Sequence, residues 1–281
     1  VPRRSQFLPW RVAGEVTDRQ QSADDVVQAT GWVFNNETGR TQTLAAFIES
    51  GDVEVPLYLD AFGLSRDDEA RRSLVEIGSG IGRMTCAFTR RFGCVYACDL
   101  DAGFLERCRE AAARFGRVER LRTIHVPDGR SLDIGDGVAD LTFSYITLQH
   151  CSRRDAHALV TESLRVLRPG GIIALNFRQR VWADVVLLPV GKAVRALFNV
   201  PGVGPWLSRH RAVTRLAWQV NRLDPHQIIE PIGDQISDVQ IWRNPARSAP
   251  VWGAQGAELR YFAAINRAHW WLVATRRPDS P

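Results

Sequence analysis

The chain has 281 residues, 45% of them hydrophobic and 24% charged, a balance that fits a folded globular protein and excludes a disordered one. No apolar run approaches the roughly 20 residues that cross a bilayer, and no apolar stretch follows Arg3 and Arg4 as it would in a secretory leader. The net charge is +5 and nearly all positive side chains are arginine, Lys192 being the one lysine; no five of them cluster, so nucleic acid is not an expected partner.

Five cysteines (Cys86, Cys94, Cys98, Cys108, Cys151) form an odd set without a CxxC pair. This pattern points away from a disulfide scaffold and toward a reducing, cytoplasmic compartment.

Residues 1–70 read as a helical extension, with helix starts at Asp24, Asp25 and Thr41–Thr43 and a second helix through Val53 to Phe62. A second unit, 71–281, opens with a buried-strand run, Ser73 to Ile77, and a glycine-rich turn. Behind it Ile81, Met84, Thr85, Phe88 and Phe92 recur at helical spacing. Cys94–Cys98 reads as a strand, Phe104–Phe115 as an amphipathic helix, and Leu121–Val126 and Ala139–Ile146 as further strands. Ser152 and Asp155 frame a capping box for a helix that Arg168-Pro-Gly-Gly171 stops, and Ile172–Phe177 is a fifth strand. Strands alternating with helices of this length imply a parallel sheet with helices on both faces. After Arg180 come an apolar helical segment, 182–225, and two strand-like runs, Ile236–Trp242 and Ala268–Thr275.

The turn Glu76-Ile-Gly78-Ser-Gly80-Ile-Gly82 brings backbone close to a ligand and offers helix N–H groups to an anionic group. A dinucleotide fingerprint would need its third glycine where Arg83 stands. Asp99 ends the second strand, where a carboxylate can accept from ribose hydroxyls, and Asp128-Gly129 follows the third. Asp101 is read as the cap of the helix that begins near Ala102.

The run from Leu74 to Glu110, with HVPDG (125–129), LTFSYITLQH (141–150) and LRVLRPGG (164–171), resembles class I S-adenosylmethionine (SAM) dependent methyltransferases of the small-molecule, type 11-like kind. The resemblance extends over Phe47 to Arg178, including the helix AAFIESGDVEV before the core. It implies a Rossmann-like, mostly parallel seven-stranded sheet whose last two strands form an antiparallel pair. It also implies SAM as cofactor, held by Glu76, Gly78, Gly80 and Gly82, by Asp99 with Leu100 beside the adenine, and by Asp128 and Gly129.

Tyr145, Gln149 and His150 follow the fourth strand, where the methyl group would project. His150 is the expected base for an acceptor that must lose a proton, and Tyr145 the expected wall of the SAM site. Gln149, Arg178, Trp182 and Phe198 are the expected acceptor contacts. The six histidines have no short-spaced partner, so no metal site is expected. Segment 182–225 is read first as a lid over the acceptor; a homodimer face or a peripheral membrane contact would also fit its apolar residues.

Methyl transfer to oxygen or nitrogen of a small, apolar or glycosylated acceptor is the expected activity. A nicotinamide-dependent oxidoreductase is the rival enzyme, disfavoured by Arg83 and Asp128. A SAM-fold scaffold without activity is the non-enzymatic rival, disfavoured by the intact acids and glycines.

Overall fold

The computed structural model describes residues 22–27, 43–198, 200, 202–208, 213, 216–217, 221–246 and 256–278. A short helix, α1 over 23–27, precedes the long helix α2, Leu44–Ala61. The latter starts within the expected Thr41–Thr43 stretch, where the Thr43 hydroxyl caps it by accepting from Ala46 N–H at 3.2 Å, and it runs on unbroken through what was expected as a separate helix from Val53. Phe47 and Ile48 of α2 pack among Ile81, Phe104 and Cys108. Two turns further on, Val55, Tyr58 and Leu59 pack with Phe88 and Trp271.

The strands are β1 (Ser73–Ile77), β2 (Cys94–Asp99), β3 (Leu121–His125), β4 (Ala139–Ser144), β5 (Leu167–Arg178), β6 (Ile236–Arg243), β7 (Glu258–Tyr261) and β8 (His269–Arg276). They form one sheet of eight in the order β3-β2-β1-β4-β5-β8-β6-β7. The first five pair in parallel, and β8 lies antiparallel between β5 and β6. The count exceeds the expected seven by β7, which pairs in parallel with the far side of β6. All four β7 residues are exposed, so this edge strand has none of the alternation by which strands are read. Strand β5 also starts five residues earlier than expected, because Arg168-Pro-Gly-Gly171 forms an irregularity between Ala139 and Leu141 pairings instead of a separate turn.

Helices α3 (Thr85–Arg91), α4 (Ala102–Phe115) and α5 (Arg153–Arg165) cross over between the parallel strands. The expected caps are made: Asp101 accepts from Phe104 N–H at 3.0 Å and Ser152 Oγ from Asp155 N–H at 3.2 Å. Side chains alternate across the sheet. On β8, Trp270 joins Val75, Val160 and Ile173 on one face, while Trp271 joins Leu74, Phe143 and Ala174 on the other.

Between β5 and β6 lie α6 (Asp184–Leu197), α7 (Val203–Ser208) and α8 (Pro225–Ile229). Phe198, Leu207 and Ala217 form a small cluster of their own. Trp218, Arg209, Arg211 and Arg215 of the expected lid segment lie outside the described residues.

Candidate active site

The chain runs outward from β1 to β2 and β3, then returns to place β4 on the other side of β1. In open α/β sheets the crevice at such a reversal, at the carboxyl ends of the strands, is where ligands bind. A cavity of about 220 Å³ opens there. Its wall includes Glu76, Gly78, Gly80, Asp99, Leu100, Gly129, Tyr145 and His150 of the sequence-derived set.

The first wall is the glycine turn. Gly78 has φ +81°, and a Cβ there would lie 2.1 Å from Thr147 Oγ1, so only glycine lets the turn after β4 close against it. Asp99 ties the turn to β2: its carboxylate accepts from Gly80 N–H at 2.8 Å and Asp101 N–H at 3.0 Å. Gly82 does not line the cavity; it packs the turn against α4, where a Cβ would meet Cys108 Sγ at 3.2 Å.

Burial pushes the Asp99 carboxyl up to about 6, against the opposing backbone hydrogen bonds. Burial also raises Glu76 to about 7, although Thr85 Oγ1 donates to its Oε2 at 2.6 Å. Ser79 Oγ is buried in the same wall without a hydrogen-bond partner. An orphaned hydroxyl beside two cavity-facing carboxylates is a polar cradle awaiting a ligand. It fits the hydroxyls and ammonium of SAM.

Leu100 and Gly129 face each other across the far end, a Cβ on Gly129 falling 3.7 Å from Leu100 Cδ1. Asp128 is not in the wall. Its exposed carboxylate closes a turn, accepting from Arg130 N–H at 2.9 Å, Ser131 N–H at 3.0 Å and Ser131 Oγ at 2.8 Å.

Tyr145 is held from three sides. It stacks on Trp271 at 5.4 Å, Tyr58 donates to its hydroxyl at 3.4 Å, and the Arg83 guanidinium lies 5.6 Å over its ring. Arg83, read in the sequence only as a missing glycine, is nine-tenths buried in the wall and pairs with Glu54 of α2 at 2.8 Å.

His150 ends the turn that follows Tyr145, and Gln149 Nε2 meets its Nε2 at 3.2 Å. Gln149 is buried with its Oε1 unpartnered and is not in the cavity wall. Asn221, unmarked in the sequence, clamps this turn: its Nδ2 donates to Leu148 O and Cys151 O, each at 2.7 Å. No local pattern could have found it, since it lies some 70 residues away.

Arg178 stands at the end of β5, half-buried and paired in register with His269. The expected roof differs more. Trp182 is 91% exposed and Phe198 is buried in the separate cluster with Leu207 and Ala217. Among the described residues none of 182–225 lines the cavity.

Residues 75–175 match a family model described as a methyltransferase domain. A carboxy-S-adenosyl-L-methionine synthase from Aliivibrio fischeri strain MJ11 is 30% identical over 124 residues, 42% of this chain. The chain spans about half the length of that curated relative. Among solved structures, magnesium protoporphyrin IX methyltransferase from Synechocystis PCC 6803, with bound SAH, superposes with a TM-score of 0.51 at 16% identity, covering 90% of this chain and 97% of that one. A candidate exported protein from Bordetella parapertussis superposes at 0.53 with 13% identity, covering 97% and 87%. The family match spans the glycine turn, Asp99 and Tyr145: residues 75–175 match a methyltransferase domain, and the sheet around them carries the fold of that solved methyltransferase.

Proposed function

We propose that this protein transfers the methyl group of SAM to an oxygen or nitrogen atom of a small, largely apolar acceptor. The observation that carries this reading is His150, in the wall of the same cavity as Asp99 and Glu76. SAM, when bound, supplies an activated methyl group on a sulfonium. Asp99 accepts one backbone hydrogen bond on each oxygen and keeps lone pairs for the ribose hydroxyls. Glu76, deprotonated by a nearby positive charge, attracts the α-ammonium. Leu100 and Gly129 flank the adenine.

His150 takes the proton that an acceptor hydroxyl or amine must lose. Gln149 Nε2 is a donor only, so the contact at 3.2 Å makes His150 Nε2 the unprotonated nitrogen and occupies its lone pair; Gln149 has to release that lone pair to the acceptor's proton for His150 to act as the base. Ile146, Cys151 and Leu159 around it support an apolar acceptor over a charged one.

Calorimetry with SAM, SAH and NADH, followed by transfer of labelled methyl to a panel of phenols, alcohols and amines, tests the reading. SAM and SAH should bind and NADH should not. His150→Gln should cut turnover by ~100-fold or more while SAM affinity stays within a few-fold. Heat from NADH without heat from SAM overturns the cofactor, and wild-type turnover in His150→Gln overturns the base.

A further inference from the structure

The face that α6 turns outward is apolar. Trp182 is 91% exposed, Val185 76% and Val186 65%, and Val190 and Leu197 of α6 and Trp206 of α7 are exposed as well. A surface helix normally buries such a stripe and exposes its polar one. Here the inward side is anchored by polar groups. Asp184 is buried and paired with the buried Arg222, Nη2 to Oδ1 and Nε to Oδ2 each 3.0 Å apart. Gly191 packs so closely on Leu216 that a Cβ would lie 2.8 Å from its carbonyl oxygen. Both contacts fix which side of α6 faces the protein.

Charge distinguishes what can cover this face. Residues 178–222 contain eight Lys or Arg and one acid, Asp184. Their +7 exceeds the +5 of the whole chain and leaves the remainder at −2. The one acid is spent on Arg222, and the exposed residues of α6 and its approach include Arg180 and Lys192. A second copy docked face to face would bring Arg180 and Lys192 against their own like charges. A nucleic acid would meet the charge and gain nothing from the valines and tryptophans. An anionic bilayer satisfies both features, taking apolar side chains to the headgroup boundary and basic ones to its phosphates. At 14 residues α6 is too short to cross the membrane, and no described helix is long and apolar enough to do so.

We infer that α6 and its flanks are a docking surface for an anionic lipid bilayer, on which the helix lies in the interfacial plane with Trp182, Val185 and Val186 inserted. Exposed tryptophans suit that depth, since the indole is apolar in body and polar at one edge. This holds whether or not the methyl acceptor is itself a lipid, because the cavity wall and the docking face share no described residue.

Vesicle flotation of the full chain tests it, with phosphatidylcholine vesicles against phosphatidylcholine mixed with phosphatidylglycerol. At low salt the chain should float with the mixed vesicles and remain below with the neutral ones, and added salt should weaken the association. The double variant Trp182→Glu, Val186→Glu should lose partitioning by about tenfold or more, with calorimetric SAM affinity unchanged as evidence of an intact fold. Failure of the full chain to float with anionic vesicles at low salt overturns the proposal, as does equal flotation of the double variant. Sedimentation velocity adds a third arm: a wild-type dimer that the double variant splits, without vesicle binding, assigns the face to a second copy instead.

Discussion

Ile146, with φ +53°, donates its backbone N–H to the side-chain oxygen of Asn176 at 3.3 Å. A β-branched residue in the left-handed region costs on the order of 1–3 kcal/mol and persists only where its surroundings insist on it. Asn176 supplies that insistence from the top of β5. It is buried, its Nδ2 donates to Trp270 O at 3.3 Å, and its Oδ1 also meets His269 Nδ1 at 3.1 Å. The amide orientation makes Oδ1 the acceptor, so His269 Nδ1 carries the proton. The strained turn sets Tyr145, Ile146 and Thr147 into the cavity wall. Asn176→Ala should therefore cost about 1–3 kcal/mol in urea unfolding, the penalty for buried groups left unpaired, and should also weaken SAM binding. Unchanged calorimetric affinity in a destabilised variant would separate the turn from the cofactor site.

Asp99 and Asp101 stand two residues apart with different duties. Asp99→Asn should reduce SAM affinity by about 1.5–3 kcal/mol, the range for hydrogen bonds to a charged group. Asp101→Ala should cost about 1 kcal/mol of stability through the lost cap on Phe104 N–H, with SAM affinity nearly unchanged. Titrations in which Asp101→Ala abolishes binding while Asp99→Asn is silent would reverse the assignment.

The glycine turn, Asp99 and the Asp101 cap were legible because each is a local signal: a buried apolar strand, a run of glycines, an acid before a helix. β7 was not legible, since Glu258 to Tyr261 are all exposed and nothing in their pattern marks a strand. The apolar stripe of α6 was visible, but which way it faces depends on Arg222, 38 residues past Asp184. Arg83 looked like a gap in a dinucleotide motif because its partner, Glu54, sits 29 residues earlier on another helix. Local chemistry was readable and long-range pairing was not.

SAM binding should depend on pH near neutrality. Burial raises the Asp99 and Glu76 carboxyls to about 6 and about 7. Both must be ionised to accept from the ribose and to attract the ammonium, so affinity should fall as pH drops through 7 toward 5. The limiting slope is about tenfold per pH unit for each group. Stability of the free protein carries the opposite sign. Groups whose folded pKa is raised contribute most below the unfolded carboxylate range and lose that contribution as pH rises through 6 and 7. Calorimetry across pH 5 to 8 checks the first trend; an affinity that rises on acidification would contradict it.

His269 titrates the other way. Burial, aided by Arg178, His150 and Arg222, lowers it from the usual histidine range to about 3. It stays neutral in the fold while the unfolded chain takes up a proton below about pH 6.5. The fold therefore loses stability between about 6.5 and 3, by up to about 1.4 kcal/mol per pH unit. Asp99 and Glu76 gain over part of this range, so the wild-type curve alone mixes the two trends. The difference between wild type and His269→Gln isolates the histidine. At pH 8 the variant should be the less stable, because packing around Asn176 is disturbed. The gap should narrow and then reverse on acidification. A gap independent of pH would mean that His269 titrates in the folded protein as it does in the unfolded chain.

Gly51 offers the sharpest test of how α2 reaches the cofactor site. A Cβ built on Gly51 would lie 2.0 Å from the carbonyl oxygen of Arg83, a backbone atom that cannot move without the glycine turn. The same helix turn holds Glu54, which pairs with the Arg83 guanidinium at 2.8 Å. In an ordinary helix Gly→Ala is favourable by roughly 1 kcal/mol, so propensity alone predicts stabilisation. The contact predicts the reverse, because either α2 lifts from the core or Arg83 is pushed toward the cavity. Gly51→Ala should therefore destabilise the fold in urea and weaken SAM binding together. Glu54→Gln removes the ion pair without the clash. With Glu54 about 30% exposed, that change should cost about 1 kcal/mol or less, leaving the turn in place. Equal SAM affinity in wild type and Gly51→Ala would show that α2 can move away from the cavity without disturbing it.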